Sequence, residues 1–465
     1  MSELDYVYRF DDIMQKQSLL QFANLRKNEQ HDVYVKVNDS QLLLKRHHQM
    51  PAEIADLVDL AVTVYIADRL SIQENGISRN IHIILPVRHP EILNSSPVVE
   101  HLQEILYWYT SDHWSFEFTL RNRYGRPAEL QMCMPLIDSS NNPVEVALWS
   151  GGLDSLAGLQ NRLLANPSMH YLLFGTGANN FVHYTQQRVA EAIGNKFPGC
   201  TTLIQLLVQL DETKNLPKSS SQRSRGFFFM LLGAICAYME GQDTLHVYEN
   251  GIGAINLPFR ESEIGLDHSR AVHPLSLLYM SSLVSQLFGK SFSFKNPFLF
   301  QTKAQMCKVF TSLNTTDLVF YTFTCDRPRR EQPMQCGCCS SCLMRRQALA
   351  VLGIKDQTPY VVTSAYSQGR ICQPSDGDHL RAMLDQVKSL RSLLNSATPW
   401  FSMSKKYTTL SEIVDRTAKQ EGLDLEKMKE RLLQLYRRYV QEWDNEIQYI
   451  LSSGLLEEGD VYKTA

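Results

Sequence analysis

Ser150, Gly151, Gly152, Asp154 and Ser155 fall within six consecutive positions, Ser-Gly-Gly-Leu-Asp-Ser, between the apolar run Val144–Trp149 and the apolar-periodic run Leu156–Leu164. That pattern suits a polyphosphate. Two adjacent glycines let the backbone turn and bring its N–H groups against an anion, and the two serines add hydroxyl donors. A helix beginning at this point adds unpaired N–H groups and the positive end of its dipole. A carboxylate among phosphate-binding groups makes sense as a holder of Mg²⁺, the role expected of Asp154. The loop has neither the Gly-Lys-Ser/Thr step of a Walker A motif nor the G-x-G-x-x-G of dinucleotide binders.

A second cluster lies at Cys325, Cys336, Cys339 and Cys342, spaced C-x10-C-x2-C-x2-C. Two Cys-x-x-Cys steps and one cysteine a short loop upstream can place four thiolates around one tetrahedral ion, zinc being the natural choice. Cys338 is the spare, because using it for Cys339 breaks the spacing. Four sulfur ligands leave no open coordination position, so the expected role is structural. Redox or disulfide use of the cluster is the alternative. Arg345 and Arg346 follow directly, either as solvated charges or as contacts to the site.

These groups need a scaffold that delivers strand ends to helix starts. Strand, Gly-containing turn and helix at Val144–Leu164 are followed by apolar strands at Tyr171–Phe174, Thr202–Val208 and Thr244–Tyr248. Helical runs at Val182–Ile193 and Arg225–Met239 separate them, which predicts a doubly wound, mostly parallel α/β sheet. We place this domain at residues 144–370. Residues 1–143 read as an α+β domain, with strands at Val33–Val37, Ile81–Val87, Trp114–Leu120 and Glu129–Ile137 and a helix over Pro51–Leu70. The turn-rich stretch Asp138–Pro143 marks its boundary. Beyond the Gln-, Ser- and Gly-containing stretch Gln368–Gly377, residues 371–465 read as helical. There Thr409-x-x-Glu412 fits a capping box, and Leu425, Met428, Leu432, Leu435 and Tyr439 recur three and four apart.

Composition excludes several classes. The formal net charge of -3 on 465 residues gives no overall basic field, so direct nucleic-acid binding is not expected. The acidic start, with Glu3, Asp5, Asp11 and Asp12, is not a secretory signal, and Phe227–Met239 is too short to span a bilayer. A cytoplasmic protein without membrane contact is expected.

Ser-Gly-Gly-x-Asp-Ser after a strand resembles the loop of the PP-loop ATP pyrophosphatases. With the four-cysteine site, the following arginines and a Glu-Asn-Gly step at Glu249-Asn250-Gly251, residues 144–350 resemble the 7-cyano-7-deazaguanine synthase (QueC) family. The resemblance implies ATP and Mg²⁺ at Ser150, Gly151, Gly152, Asp154 and Ser155, and Zn²⁺ at the four cysteines. It implies Arg225 and Lys303 as catalytic groups near the nucleotide, and Glu249, Asn250 and Arg345 as contacts to a 7-deazaguanine-type small molecule. Phe174–Asn180 departs from that family's aromatic-rich segment. The long extensions look like the QatC type of bacterial antiphage defence, which implies a protein acceptor from the same operon. Dimerisation is the other use for such extensions. The implied reaction is adenylation of a carboxylate followed by acyl transfer to an amine. Alternatives are nitrile synthesis with ammonia, a nucleotide-binding module without turnover, and tRNA sulfur transfer.

Overall fold

The computed structural model describes residues 4–12, 18–43, 50–73, 77–121, 129, 143–177, 180–210, 216–219, 223–260, 270–326, 334–362 and 377–444. Its strands are β1 (Tyr6–Phe10), β2 (Ser18–Asn24), β3 (Glu29–Asn38), β4 (Asn80–Val87), β5 (His113–Leu120), β6 (Val144–Leu148), β7 (His170–Gly177), β8 (Thr201–Leu210), β9 (Thr244–His246) and β10 (Ser293–Lys295). The helices are α1 (Ala52–Leu70), α2 (Pro90–Leu93), α3 (Ser96–Thr110), α4 (Leu153–Ala165), α5 (Asn180–Lys196), α6 (Arg225–Met239) and α7 (Gly251–Ile255). They continue with α8 (Pro274–Phe288), α9 (Lys303–Ser312), α10 (Ser340–Val351), α11 (Asp378–Leu394), α12 (Pro399–Lys406), α13 (Thr409–Thr417) and α14 (Leu425–Asp444).

All ten strands join one sheet in the order β10-β9-β6-β7-β8-β3-β2-β1-β4-β5. From β10 to β8 every neighbour is parallel, and so are β1, β4 and β5. The pairs β8–β3, β3–β2 and β2–β1 are antiparallel. The molecule is thus α/β with a mostly parallel sheet. The sheet does not stop near residue 143: Val35 pairs with Leu210 and Asn38 with Leu207, so the strands of residues 1–143 extend the sheet that carries the loop.

Why the helices bury as they do follows from their composition. α1 and α6 are apolar around most of their circumference and lie in one core with β1–β4, where Tyr65 stacks on Phe228 at 4.5 Å between ring centroids. Aspartates on α1 are neutralised rather than solvated: Arg88 bonds Asp56 at 2.9 Å and Asp59 at 2.7 Å, and Arg79 bonds Asp68 at 2.7 Å. On the opposite face α4, α5 and α9 cover β6 and β7. α11–α14 form a third core with α7 and α10. Among the described residues no helix is long and apolar enough to cross a membrane.

Some expectations need correction, and others fall outside the described residues. The helix after the loop begins at Leu153, not Leu156, so Asp154 and Ser155 stand on its first turn. Thr409 is not a cap; α13 is preceded by Thr408, which makes no side-chain cap bond, and the complete capping box is at Thr302 and Gln305 on α9. Of the strand expected at Glu129–Ile137 only Glu129 is described, and it is helical; the remainder lies outside the described residues. So do most of the two boundary stretches, Asp138–Pro143 and Gln368–Gly377, and residues 178 and 179.

Candidate active site

β6 ends at Leu148, and the chain turns through Trp149–Gly152 into α4. Trp149 anchors the turn: its Nε1–H donates to the Gln186 carbonyl of α5 at 2.9 Å. Gly151 has φ +73°, and a Cβ there would stand 3.1 Å from the Gln186 backbone, so both conformation and space demand glycine. Ser150 Oγ and Ser155 Oγ lie 2.8 Å apart, and the Gly152 N–H donates to Ser150 Oγ at 3.1 Å. The Gly151 carbonyl accepts from the Phe323 N–H at 3.1 Å, which ties the loop to the chain leading into the cysteines.

Beneath the loop sits a buried charge cluster. Asp154 Oδ2 pairs with Lys303 Nζ, and Asp154 Oδ1 accepts from Asn250 Nδ2 at 3.1 Å. The same Asn250 amide donates to Glu249 Oε1 at 2.7 Å, while its carbonyl caps α7 through the Gly253 N–H at 2.9 Å. Burial works against the Lys303 charge, yet Asp154 and then Glu249 outweigh it and hold the ammonium above the ordinary lysine value. Burial also pushes Glu249 up to about 8, with the Asp154 charge adding to it. At neutral pH the Lys303 ammonium therefore stands beside a largely protonated Glu249 carboxyl. The structure brings Ser150, Gly151, Gly152, Asp154, Ser155, Glu249, Asn250 and Lys303 into one site.

Two expected residues stand elsewhere. Arg225 opens α6, is exposed, and its guanidinium lies 5.0 Å from the Phe229 ring centroid; the structure does not bring it to Asp154. Arg345 is fully buried, and all its N–H groups are engaged. Nη1 donates to Thr322 Oγ1 at 2.5 Å and Thr324 Oγ1 at 3.3 Å, Nη2 to the Val319 carbonyl at 2.9 Å and Thr358 Oγ1 at 2.8 Å, and Nε to Asp356 at 3.4 Å. A guanidinium has five N–H donors, so none is left for a bound molecule. Arg345 instead clamps the segments that flank the cysteines, a correction to its expected contact with substrate.

Cys325, Cys336, Cys339 and Cys342 place their Sγ atoms within 4.8 Å of one another, without Cys338. Four thiolates about 2.3 Å from one tetrahedral ion stand about 3.8 Å apart. The 3.9 Å between Cys336 Sγ and Cys342 Sγ fits that spacing. Backbone N–H groups of Cys336 and Cys339 donate to Cys325 Sγ and Cys336 Sγ, each at 3.2 Å, as they do where sulfur carries negative charge. The donor set fits a single metal ion.

Sequence reasoning missed Gln186, Phe323 and Glu442, the last of which bonds Thr302 beside Lys303. Thr302-x-x-Gln305 carries a readable capping signal. Nothing local marks the other three.

Residues 277–353 match the family model described as queuosine biosynthesis protein QueC. That segment is QueC-like; it includes Lys303, the four cysteines and Arg345 and begins beyond the loop and Glu249. Over 46 residues the chain is 39% identical to a 7-cyano-7-deazaguanine synthase of Methanococcus maripaludis, covering 10% of this chain and 20% of that protein. The chain thus spans about a fifth of the length of the curated relative it matches. Among solved structures, the U34-tRNA thiolase NcsA from Methanococcus maripaludis with its 4Fe-4S cluster is similar at 12% identity and TM-score 0.21, over 63% of this chain and 100% of its own.

Proposed function

We propose that this QueC-like chain is an ATP pyrophosphatase that activates a carboxylate as an adenylate and passes the acyl group to an amine. The observation that carries the reading is the buried Asp154–Lys303 pair directly under a two-glycine loop at the end of a parallel strand. Such a site offers positioned donors to a pyrophosphate and a lysine to its charge. Asp154 would hold a Mg²⁺ arriving with ATP, which supplies charge neutralisation for the leaving group. A substrate carboxylate oxygen attacks the α-phosphorus, the bond to the β-phosphate oxygen breaks, and pyrophosphate departs. The amine then attacks the acyl carbon, AMP leaves, and the amine proton passes to solvent. No nucleophilic side chain takes part. Cys307, a thiol within reach of the Asp154 charge, is fully buried and its pKa is raised by burial and by Asp154, which disfavours thiolate catalysis and sulfur transfer.

The substrate acid in this reading is 7-carboxy-7-deazaguanine, and Glu249 would give up its proton on binding to accept from the N–H edge of the base. Its acceptor is the amine of a partner protein in the manner of the QatC type, and the long extensions supply the docking surface. The name of the Methanococcus maripaludis relative favours a second reading, in which ammonia is the acceptor and the product a nitrile. Zinc in the four-cysteine site closes the loop structurally; a four-iron cubane spreads its thiolates to the corners of a larger body than the observed spacing allows. Incubation with ATP, the acid and candidate partners, followed by mass spectrometry, tests the proposal. The expected result is AMP, pyrophosphate and one partner peptide with the acyl mass. Nitrile alone selects the second reading, and ADP with phosphate overturns both.

A further inference from the structure

α14 reaches the site from the far end of the chain. Its Glu442 is buried and accepts a hydrogen bond from Thr302 Oγ1 at 2.6 Å. Thr302 caps α9: its hydroxyl oxygen accepts from the Gln305 N–H at 3.2 Å, and its own N–H donates to Gln305 Oε1 at 3.0 Å. Lys303 is the next residue and the first of the helix. α14 also packs on the second segment of the site. A Cβ on Gly251, at the start of α7 beside Asn250, would stand 2.7 Å from Leu435 Cδ2 of α14 and 1.9 Å from the Leu299 carbonyl oxygen. One helix of the C-terminal region therefore braces both elements that aim side chains at Asp154.

We propose that Glu442 is a positioning residue for the Lys303–Asp154 pair, which makes the C-terminal helical region a working part of the nucleotide site. This inference rests on the reading of the site as an ATP site. Lys303 puts an ammonium at the positive end of its helix dipole, an unfavourable placement unless negative charge lies close. Asp154 provides such charge, and Glu249 adds to it. By accepting the hydrogen bond of the Thr302 hydroxyl, Glu442 turns its oxygen lone pair toward the Gln305 N–H and fixes the first turn of α9, on which Lys303 stands. A displacement of about 1 Å in a catalytic group is enough to cost about a hundredfold in rate.

Lys308 and Cys307 on α9, Gln347 on α10, and Arg438 and Tyr439 on its own helix surround the carboxyl. Burial, the largest influence, outweighs the hydrogen bond from Thr302 and the nearby Gln347 amide and raises Glu442 to about 7. Its negative charge is therefore present above about pH 7 and lost below.

The test uses the full chain and two readouts, hydrogen exchange of the Lys303–Met306 amides without ATP and pyrophosphate release with ATP. Thr302→Val and Glu442→Ala are expected to speed that exchange and to lower kcat about tenfold, with metal content unchanged and little change in KM for ATP. Thr302→Ser, which keeps the hydroxyl, is expected to restore both. In the wild type kcat is expected to rise as pH passes about 7, and Glu442→Gln is expected to fix the low-pH behaviour and flatten that rise. Wild-type exchange in both Thr302→Val and Glu442→Gln overturns the proposal, even if Glu442→Ala fails to fold. If the wild type releases no pyrophosphate, the ATP reading fails, and the exchange arm alone decides the positioning role.

Discussion

At the scale of single residues, the site is a balance of charges that cannot be altered one at a time. Asp154→Ala is expected to lower pyrophosphate release by at least about a hundredfold, since the group that orders charge at the leaving pyrophosphate is gone. It also leaves the Lys303 ammonium buried without its partner, at a cost of about 3–5 kcal/mol. Asp154→Ala/Lys303→Met is therefore expected to be more stable than Asp154→Ala alone while remaining inactive, which thermal unfolding and a pyrophosphate assay would show together. A single variant as stable as the wild type contradicts the coupling. Glu249 gives a pH signature of definite sign. Its folded pKa of about 8 lies above the ordinary 4.5, so the folded state favours the protonated form, and stability falls as pH rises between those values. Glu442 contributes in the same direction but is complete by about pH 7. The loss of stability from pH 7 to 8 thus belongs chiefly to Glu249, and Glu249→Gln is expected to abolish it in thermal denaturation curves. An unchanged fall in that variant removes the assignment.

At the scale of elements, the cysteine segment makes the sharpest distinction. Cys339→Ser is expected to lose the bound metal, as measured by elemental analysis, and to lower the unfolding temperature; Cys338→Ser is expected to keep both. The reverse result would exchange their roles. Local pattern carried this much because ligand spacing and the strand–glycine–helix order are short-range properties of a chain. Gly151 and Gly152 after an apolar run have few other uses, and C-x2-C steps have few other geometries. What stayed illegible required partners distant in sequence. Arg345 looked like a free cation because its acceptors Val319, Thr322, Thr324, Asp356 and Thr358 become neighbours only when the segments on both sides of the cysteines fold together. The family resemblance implied Arg225 as a nucleotide contact, yet the start of α6 lies beside α1 and α3: the Ser224 N–H donates to Asp68, and Arg223 to the Thr110 carbonyl.

For the whole molecule, the decisive feature is the antiparallel seam between β3 and β8. Periodicity showed strands on both sides of residue 143 but held nothing about which edges pair. Residues 144–465 expressed alone are expected to be insoluble, because their β8 edge and the apolar surface of α6 would lose the strands and α1 that cover them. A soluble fragment with metal and pyrophosphate release would show the two halves to be separable. The seam also orders events during synthesis. β3 leaves the ribosome long before its partner β8 exists, and until translation passes Leu210 the first strands present an unpaired edge to every other nascent chain nearby. Ribosome pausing before that point, or depletion of the chaperones that shield such edges, is the circumstance in which this protein would be lost to aggregation rather than to unfolding.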